Sequence, residues 1–92
     1  MDQIMWRIAR SQALAGLGQL DEAARIAREA VTLAGTTDAV KLHGDALMAL
    51  AKTLQAAGRP DHAAAAAQQA LDRYARKGNL VSARTAETLL GP

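Results

Sequence analysis

The sequence predicts an all-α fold: an antiparallel array of helix hairpins, with two hairpins and one terminal helix. Three observations predict it. Residues recur at a fixed long spacing, for Gly58 lies 40 residues after Gly18. Such a period marks repeat architectures. Apolar residues recur at helical spacing between the glycines, as in Leu47, Leu50, Ala51 and Leu54, which is the i, i+3, i+4, i+7 stripe of a buried helix face. β-branched residues are few and scattered, so no strand pattern competes.

The repeat is the strongest signal. Gly18, Asp21, Ala23, Ala24, Ala27 and Ala30 return as Gly58, Asp61, Ala63, Ala64, Ala67 and Ala70, and Val31 faces Leu71. Leu14 and Leu54 also correspond, as do Leu17 and Ala57. The run of five alanines from Ala63 is therefore not filler. Ala63, Ala64, Ala67 and Ala70 repeat, whereas Ala65 and Ala66 replace Arg25 and Ile26 and are read as the variable positions.

Punctuation sets the elements in order. The first helix is expected at about residues 2–17, ending at Gly18. The second spans about 20–34, with Asp21 and Glu22 at its positive N-terminal end. Gly35 is read as its stop, and Thr36, Thr37 and Asp38 as N-cap candidates for the third. The third runs over about 39–57. The fourth opens at Pro60, which needs no amide donor in a first turn. It reaches about Lys77, where Arg73, Arg76 and Lys77 favour the negative end. Gly78 is a stop and Asn79 a cap for a fifth helix over about 80–90, with Ala83, Ala86 and Leu90 on one face. Short links make successive helices antiparallel. The expected organisation is one domain over residues 1–92: a first repeat at about 2–35, a second at about 38–78, and a terminal helix at about 79–90.

Composition bounds the rest. The chain has 92 residues, of which half are hydrophobic but only 2% aromatic, and Phe is absent. The core must come from Leu, Val, Ile and Ala, which favours close helix packing over a large central cavity. There is no Cys, so disulfides and thiolate metal sites are excluded. No apolar run approaches the ~20 residues that span a bilayer, and no signal-peptide pattern stands at the start. A cytoplasmic location without membrane contact is expected. A net charge of +2 is a weak argument for nucleic acid, which is not the expected partner.

The hairpins resemble tetratricopeptide repeats. The carrying residues are Gly18 with Asp21, Ala23, Ala27 and Ala30, and Gly58 with Asp61, Ala63, Ala67 and Ala70. The resemblance implies that the first small residue of each second helix lets the two helices of a repeat approach closely, and that the later Ala packs on the next repeat. It also marks departures. Arg7 and Leu47 stand where the family carries a large aromatic, with Trp6 one residue away; Ser11 and Ala51 take the small position; Gly35 and Ala75 replace the closing Pro. The spacing of 40 exceeds the standard ~34. A narrower resemblance covers nearly the whole chain. Leu20-Asp21-Glu22-Ala23-Ala24, His43-Gly44-Asp45-Ala46-Leu47 and Tyr74-Ala75-Arg76-Lys77-Gly78-Asn79 are similar to repeat tails of large bacterial signalling proteins that carry an ATPase or a nucleotide-cyclase-like module. Neither module is present in these residues, so their activities are not implied.

The chemistry of individual side chains points away from catalysis. His43 and Asp45 are two apart on a helix and do not face each other, and His62 is distant in sequence. A metal site needs three or four converging ligands. Ser11 and Ser82 lie in no nucleophile motif. Gly16-Leu17-Gly18 is no phosphate loop, since no strand precedes it and no Gly-Lys-Ser/Thr follows. No enzyme activity, metal or cofactor is expected. Arg73, Arg76, Lys77 and Arg84 form a candidate basic cluster, for which dipole compensation and solvation is the plainer reading. Arg7, Arg10, Arg25 and Arg28 read as solvated faces.

The resemblance implies a groove lined by the first helices of the repeats, where a protein or peptide partner would bind. Its inward residues here would be Met5, Ile8, Gln12, Asp45, Met48, Lys52 and Gln55, with Thr85 and Thr88 beyond. Ile8 and Met48 are equally well read as core. Two repeats and a helix are fewer than the ~three usually needed for a continuous core. The stack ends are then expected to be apolar, marked by Trp6 at one end and Leu89 and Leu90 at the other. Self-association, or docking within a larger parent chain, is the corresponding expectation.

Overall fold

Each hairpin turns at a glycine in the left-handed region. Gly18, Gly58 and Gly78 have φ of 81°, 77° and 75°, a conformation that costs a residue with a Cβ roughly 1 kcal/mol. The same cap is built three times. The Gln19 amide donates to the Leu14 carbonyl at 2.9 Å, Arg59 to Leu54 at 2.9 Å and Asn79 to Tyr74 at 2.9 Å, satisfying carbonyls that a helix end leaves open. The 40-residue repeat of the sequence is thus a repeat of hydrogen bonds at Gly18 and Gly58, and the same cap closes the fourth helix at Gly78, 20 residues after Gly58.

The computed structural model describes residues 3–90. They form five helices: α1 (Gln3–Gly16), α2 (Leu20–Gly35), α3 (Val40–Ala56), α4 (Pro60–Lys77) and α5 (Leu80–Leu90). Among the described residues there is no strand, and the fold is all-α as the sequence predicts. The expected start at Asp2 lies outside the described residues. Pro60 opens α4, and the Asn79 side chain caps α5 by accepting from the Ser82 amide at 3.1 Å.

The α2–α3 connection departs from expectation. Gly35 is the last residue of α2, not its stop. Thr36 and Thr37 do not cap α3, whose flanking residue is Ala39 without a side-chain cap. Their hydroxyls donate backwards instead, to the Leu33 carbonyl at 2.7 Å and the Ala34 carbonyl at 2.8 Å. Threonine satisfies carbonyls as readily as amides, and here the open carbonyls of α2 lie within reach. Thr37 Oγ1 also accepts from the Ala39 amide at 3.1 Å.

Packing follows a stack. α1 packs on α2 and α3, α3 on α2 and α4, and α5 on α4 and, lightly, on α3; no Cα atoms of α2 and α4 come within 8 Å of each other. Links of two to four residues join helices that lie along one another, so neighbours run antiparallel. The first helices α1, α3 and α5 therefore share one face, and α2 and α4 the other.

The core is small-residue packing. Among the described residues, fourteen of the twenty buried apolar ones are alanines, which lets helix axes approach the short end of the usual ~8–10 Å range. Ala63, Ala67 and Ala70 are buried like Ala23, Ala27 and Ala30. Ala66 corrects the sequence reading. It is variable in identity but buried, as is its counterpart Ile26; Ala65 and Arg25 share the exposed position. Among larger side chains Leu47, Met48 and Tyr74 form one cluster with Ala70, Ala83 and Ala86. Ile4 anchors another with Ala30, Ala34 and Ala46.

Candidate functional site

A groove of about 320 Å³ crosses the face shared by α1, α3 and α5. Met5, Ile8 and Gln12 line it from α1, Asp45, Met48 and Lys52 from α3, and Thr85 from α5. The register explains the gathering. These side chains lie three or four apart on each helix and so share one stripe, and the 40-residue repeat sets Met5, Asp45 and Thr85 at equivalent positions. Gln55 and Thr88 are exposed and lie outside the lining. Gln55 is one turn too far along α3 and lies beside the Gly58 cap, whose amide donates to the Gln55 carbonyl at 3.1 Å.

Ile8 and Met48 belong to both groove and core. Ile8 is half-buried and packs on the Ile4 cluster, and Met48 is buried in the Tyr74 cluster. The exposed part of the groove is carried by Met5, Ala9, Gln12, Lys52 and Thr85. Lys52 makes no ion pair among the described residues, and its ammonium is free for a ligand.

The polar centre of the groove comes from α3 and α4. The Tyr74 hydroxyl donates to Asp45 Oδ1 at 2.6 Å, and Lys41 Nζ donates to Asp45 Oδ2 at 2.8 Å. Burial raises the Tyr74 phenol above its ordinary value near 10, and the Asp45 carboxylate adds to the rise. A neutral phenol is held there because it supplies the proton that Asp45 accepts. Gly44 makes this arrangement possible, for a Cβ on it would meet Tyr74 Cε1 at 2.7 Å. Tyr74, Leu42, Ala9 and Ser82 complete the lining; none was anticipated. A glycine in the middle of α3 is the signal that a large side chain crosses there.

His43 takes a structural part. Its Nδ1 accepts from Arg73 Nε at 3.3 Å. Partial burial lowers its pKa, and the Arg73 guanidinium lowers it further. His62 is exposed. Among the described residues no three His, Asp or Glu side chains gather as metal ligands. The candidate basic cluster is partly neutralised: Asp72 pairs with Arg73 at 2.5 Å and with Arg76 at 3.3 Å.

The ends of the stack differ from one another. Trp6 is 44% exposed and has two guanidinium groups against its ring, with Arg7 Cζ 5.4 Å and Arg10 Cζ 5.7 Å from the ring centroid. Arg7 also reaches α2, donating to Glu29 at 3.4 Å. Arg25 bonds Glu22 and Glu29. The Arg25 hydrogen bond lowers the Glu22 pKa, as do the charges of Arg25 and Arg10. At the other end Leu89 and Leu90 are half-buried against clusters from α3 and α4. The exposed apolar residues of α5 are instead Leu80 at 74% and Val81 at 80%, beside Arg84 and Glu87.

Among the described residues, no helix is long and apolar enough to cross a membrane. No curated protein and no solved structure matches the chain. The family model of the tetratricopeptide repeat matches residues 38–77, the stretch that forms α3 and α4. The first hairpin falls outside that match, and it carries Arg7 and Arg10 where the second carries Leu47 and Leu50. Across its α3–α4 hairpin the chain is therefore similar to a tetratricopeptide repeat, a kind of repeat that generally mediates protein–protein interaction.

Proposed function

We infer that the protein is a non-enzymatic interaction module that takes a peptide, helix or partner domain in the α1–α3–α5 groove. One observation carries this reading: three successive first helices contribute Met5, Ile8, Gln12, Asp45, Met48, Lys52 and Thr85 to a single concavity. Methionine and isoleucine give adaptable apolar contact, while Lys52 and Gln12 supply exposed polar anchors. Asp45 is held in place by Tyr74 and Lys41, so its position is set before a ligand arrives, which lowers the ordering cost of binding. The setting is bacterial signalling or transcriptional regulation. That part of the reading rests on the resemblance to the repeat tails of bacterial ATPase and cyclase-like regulators.

The test is selection of peptides from a random displayed library against the full chain. The selected peptides are then measured against Gln12→Ala and Lys52→Ala. Weaker binding to both variants, with no change for Gln68→Ala on exposed α4 surface, supports the groove. Equal binding to all three sinks it.

A second reading is homo-oligomerisation through the stack end. It is favoured by the exposed Leu80 and Val81 on α5. Leu89 and Leu90 would contribute only their exposed edges. Sedimentation of the chain over a concentration series separates the two readings, since the groove reading needs no dimer.

A further inference from the structure

We propose that the upstream face of the first hairpin docks an acidic polypeptide segment that also presents an apolar side chain. This face is separate from the groove, and the proposal does not rest on the groove's function. The repeat itself shows that the face is the one through which successive hairpins meet. Trp6, Ala46 and Ala86 are equivalent at the 40-residue spacing. Ala46 and Ala86 are both 0% exposed, sealed against the preceding hairpin. Trp6 is the same position, and among the described residues it is 44% exposed. Arg10 likewise corresponds to Leu50 and Leu90, which pack on the core.

The chemistry of the seam selects its occupant. Where the later hairpins carry alanine and leucine, this one carries an indole with two guanidinium groups against its ring. Next to it, α1 and α2 enclose a concavity of about 500 Å³ lined by Arg7, Arg25, Arg28, Glu29, Thr32 and Leu33. Arg7 belongs to both features. Glu29 is shared by Arg7 and Arg25, while Arg28 makes no ion pair among the described residues. The lining therefore carries three cations against one carboxylate. Arg28 and Arg10 are in no ion pair among the described residues, although the Arg10 charge also acts on Glu22, and Trp6 with Leu33 is the apolar surface.

Other occupants fit less well. A two-fold pairing of copies through this face would bring together two surfaces that each carry three cations against one carboxylate. A nucleic-acid strand carries an unbroken row of phosphates, and here Glu22 and Glu29 interrupt the arginines. Separate carboxylates on a polypeptide can reach Arg10 and Arg28 individually and avoid both glutamates.

Trp6 is the one tryptophan of the chain, so its fluorescence reports on this face directly. The full chain is titrated with a synthetic probe peptide of glutamates with leucine at every fourth position. The proposal expects a saturable change in Trp6 emission that weakens as salt is added. It expects about tenfold weaker binding to the Arg10→Gln/Arg28→Gln variant and unchanged binding to Lys52→Ala. Both arginines are exposed, and circular dichroism checks that the variant folds. No emission change, or equal affinity for the arginine variant, overturns the proposal. So does tighter binding of oligothymidylate than of the probe, or an emission change on concentrating the protein alone.

Discussion

Tyr74 on α4 donates its hydroxyl to Asp45 on α3 at 2.6 Å, and the ring passes directly over Gly44. This contact joins the second hairpin's two helices and fixes the one acidic side chain of the groove. A Cβ at Gly44 would lie 2.7 Å from Tyr74 Cε1, and the hydrogen bond keeps the ring from stepping aside. Alanine at an ordinary helix-interior glycine gains up to about 1 kcal/mol, whereas overpacking a core costs about 1–3 kcal/mol. Gly44→Ala is expected to be destabilising by about 1–2 kcal/mol. Gly16→Ala, where a new Cβ meets nothing within 4 Å, is expected to be neutral or stabilising. Urea denaturation of both variants compares them.

The same contact predicts alkaline behaviour. The folded Tyr74 phenol has its pKa raised above the ordinary value of 10.0, by burial first and Asp45 second. Its contribution to stability is complete below pH 10. Above that, the unfolded chain loses the proton while the folded chain keeps it, so stability falls as pH rises. Tyr74 is the chain's only tyrosine, so tyrosinate absorbance reads it alone. The native protein is expected to show no tyrosinate until well above pH 10, and unfolded protein to titrate near 10. A native titration near 10 contradicts this.

His43 predicts the acid limb. Partial burial and Arg73 lower its pKa below the ordinary 6.5. Its contribution is present above that value and is lost as pH falls through the lowered folded pKa, because only the unfolded chain accepts the proton readily. Protonation also removes the Nδ1 acceptor of Arg73. Thermal melts between pH 7 and 5 are expected to show falling stability, with a shallower fall in His43→Gln. An identical slope in the variant contradicts the assignment.

Groove residues split into two kinds. Met48 is buried, so Met48→Ala is expected to cost about 2–4 kcal/mol of stability. Its effect on binding is then mixed with an effect on the fold. Lys52 is exposed and makes no ion pair among the described residues, so Lys52→Ala is expected to change stability by less than about 0.5 kcal/mol. Calorimetric melts of the two variants check this split, and they decide which variants can probe a ligand.

The alanine stripes, the Gly turns and the five helices were legible in the sequence because each is a local choice repeated once. Gly18 and Gly58 are followed by the same Asp and Ala positions, and the same cap results. Six of the seven groove residues named on α1 and α3 were legible for a similar reason, since helical spacing and the repeat together fix a face. What stayed hidden is long-range. Tyr74 reaches the groove from another helix, and only Gly44 hints at it. Thr36 and Thr37 could satisfy either helix end, and which end lay nearer depended on the packing of α2 against α3. Leu89 and Leu90 look like an exposed end in a linear sequence. In the stack they take the positions of Ala49, which is buried, and Leu50, which is half-buried, while Leu80 and Val81 at the start of α5 stay exposed.

The central claim is that the face shared by α1, α3 and α5 takes the partner. Amide chemical-shift mapping of the full chain with the tightest library-selected peptide tests it most directly. The account predicts shifts concentrated at Gln12, Asp45, Lys52 and Thr85, with α2 and the outer face of α4 undisturbed. Shifts confined to α2 and α4, or to Leu80 and Val81, would contradict it.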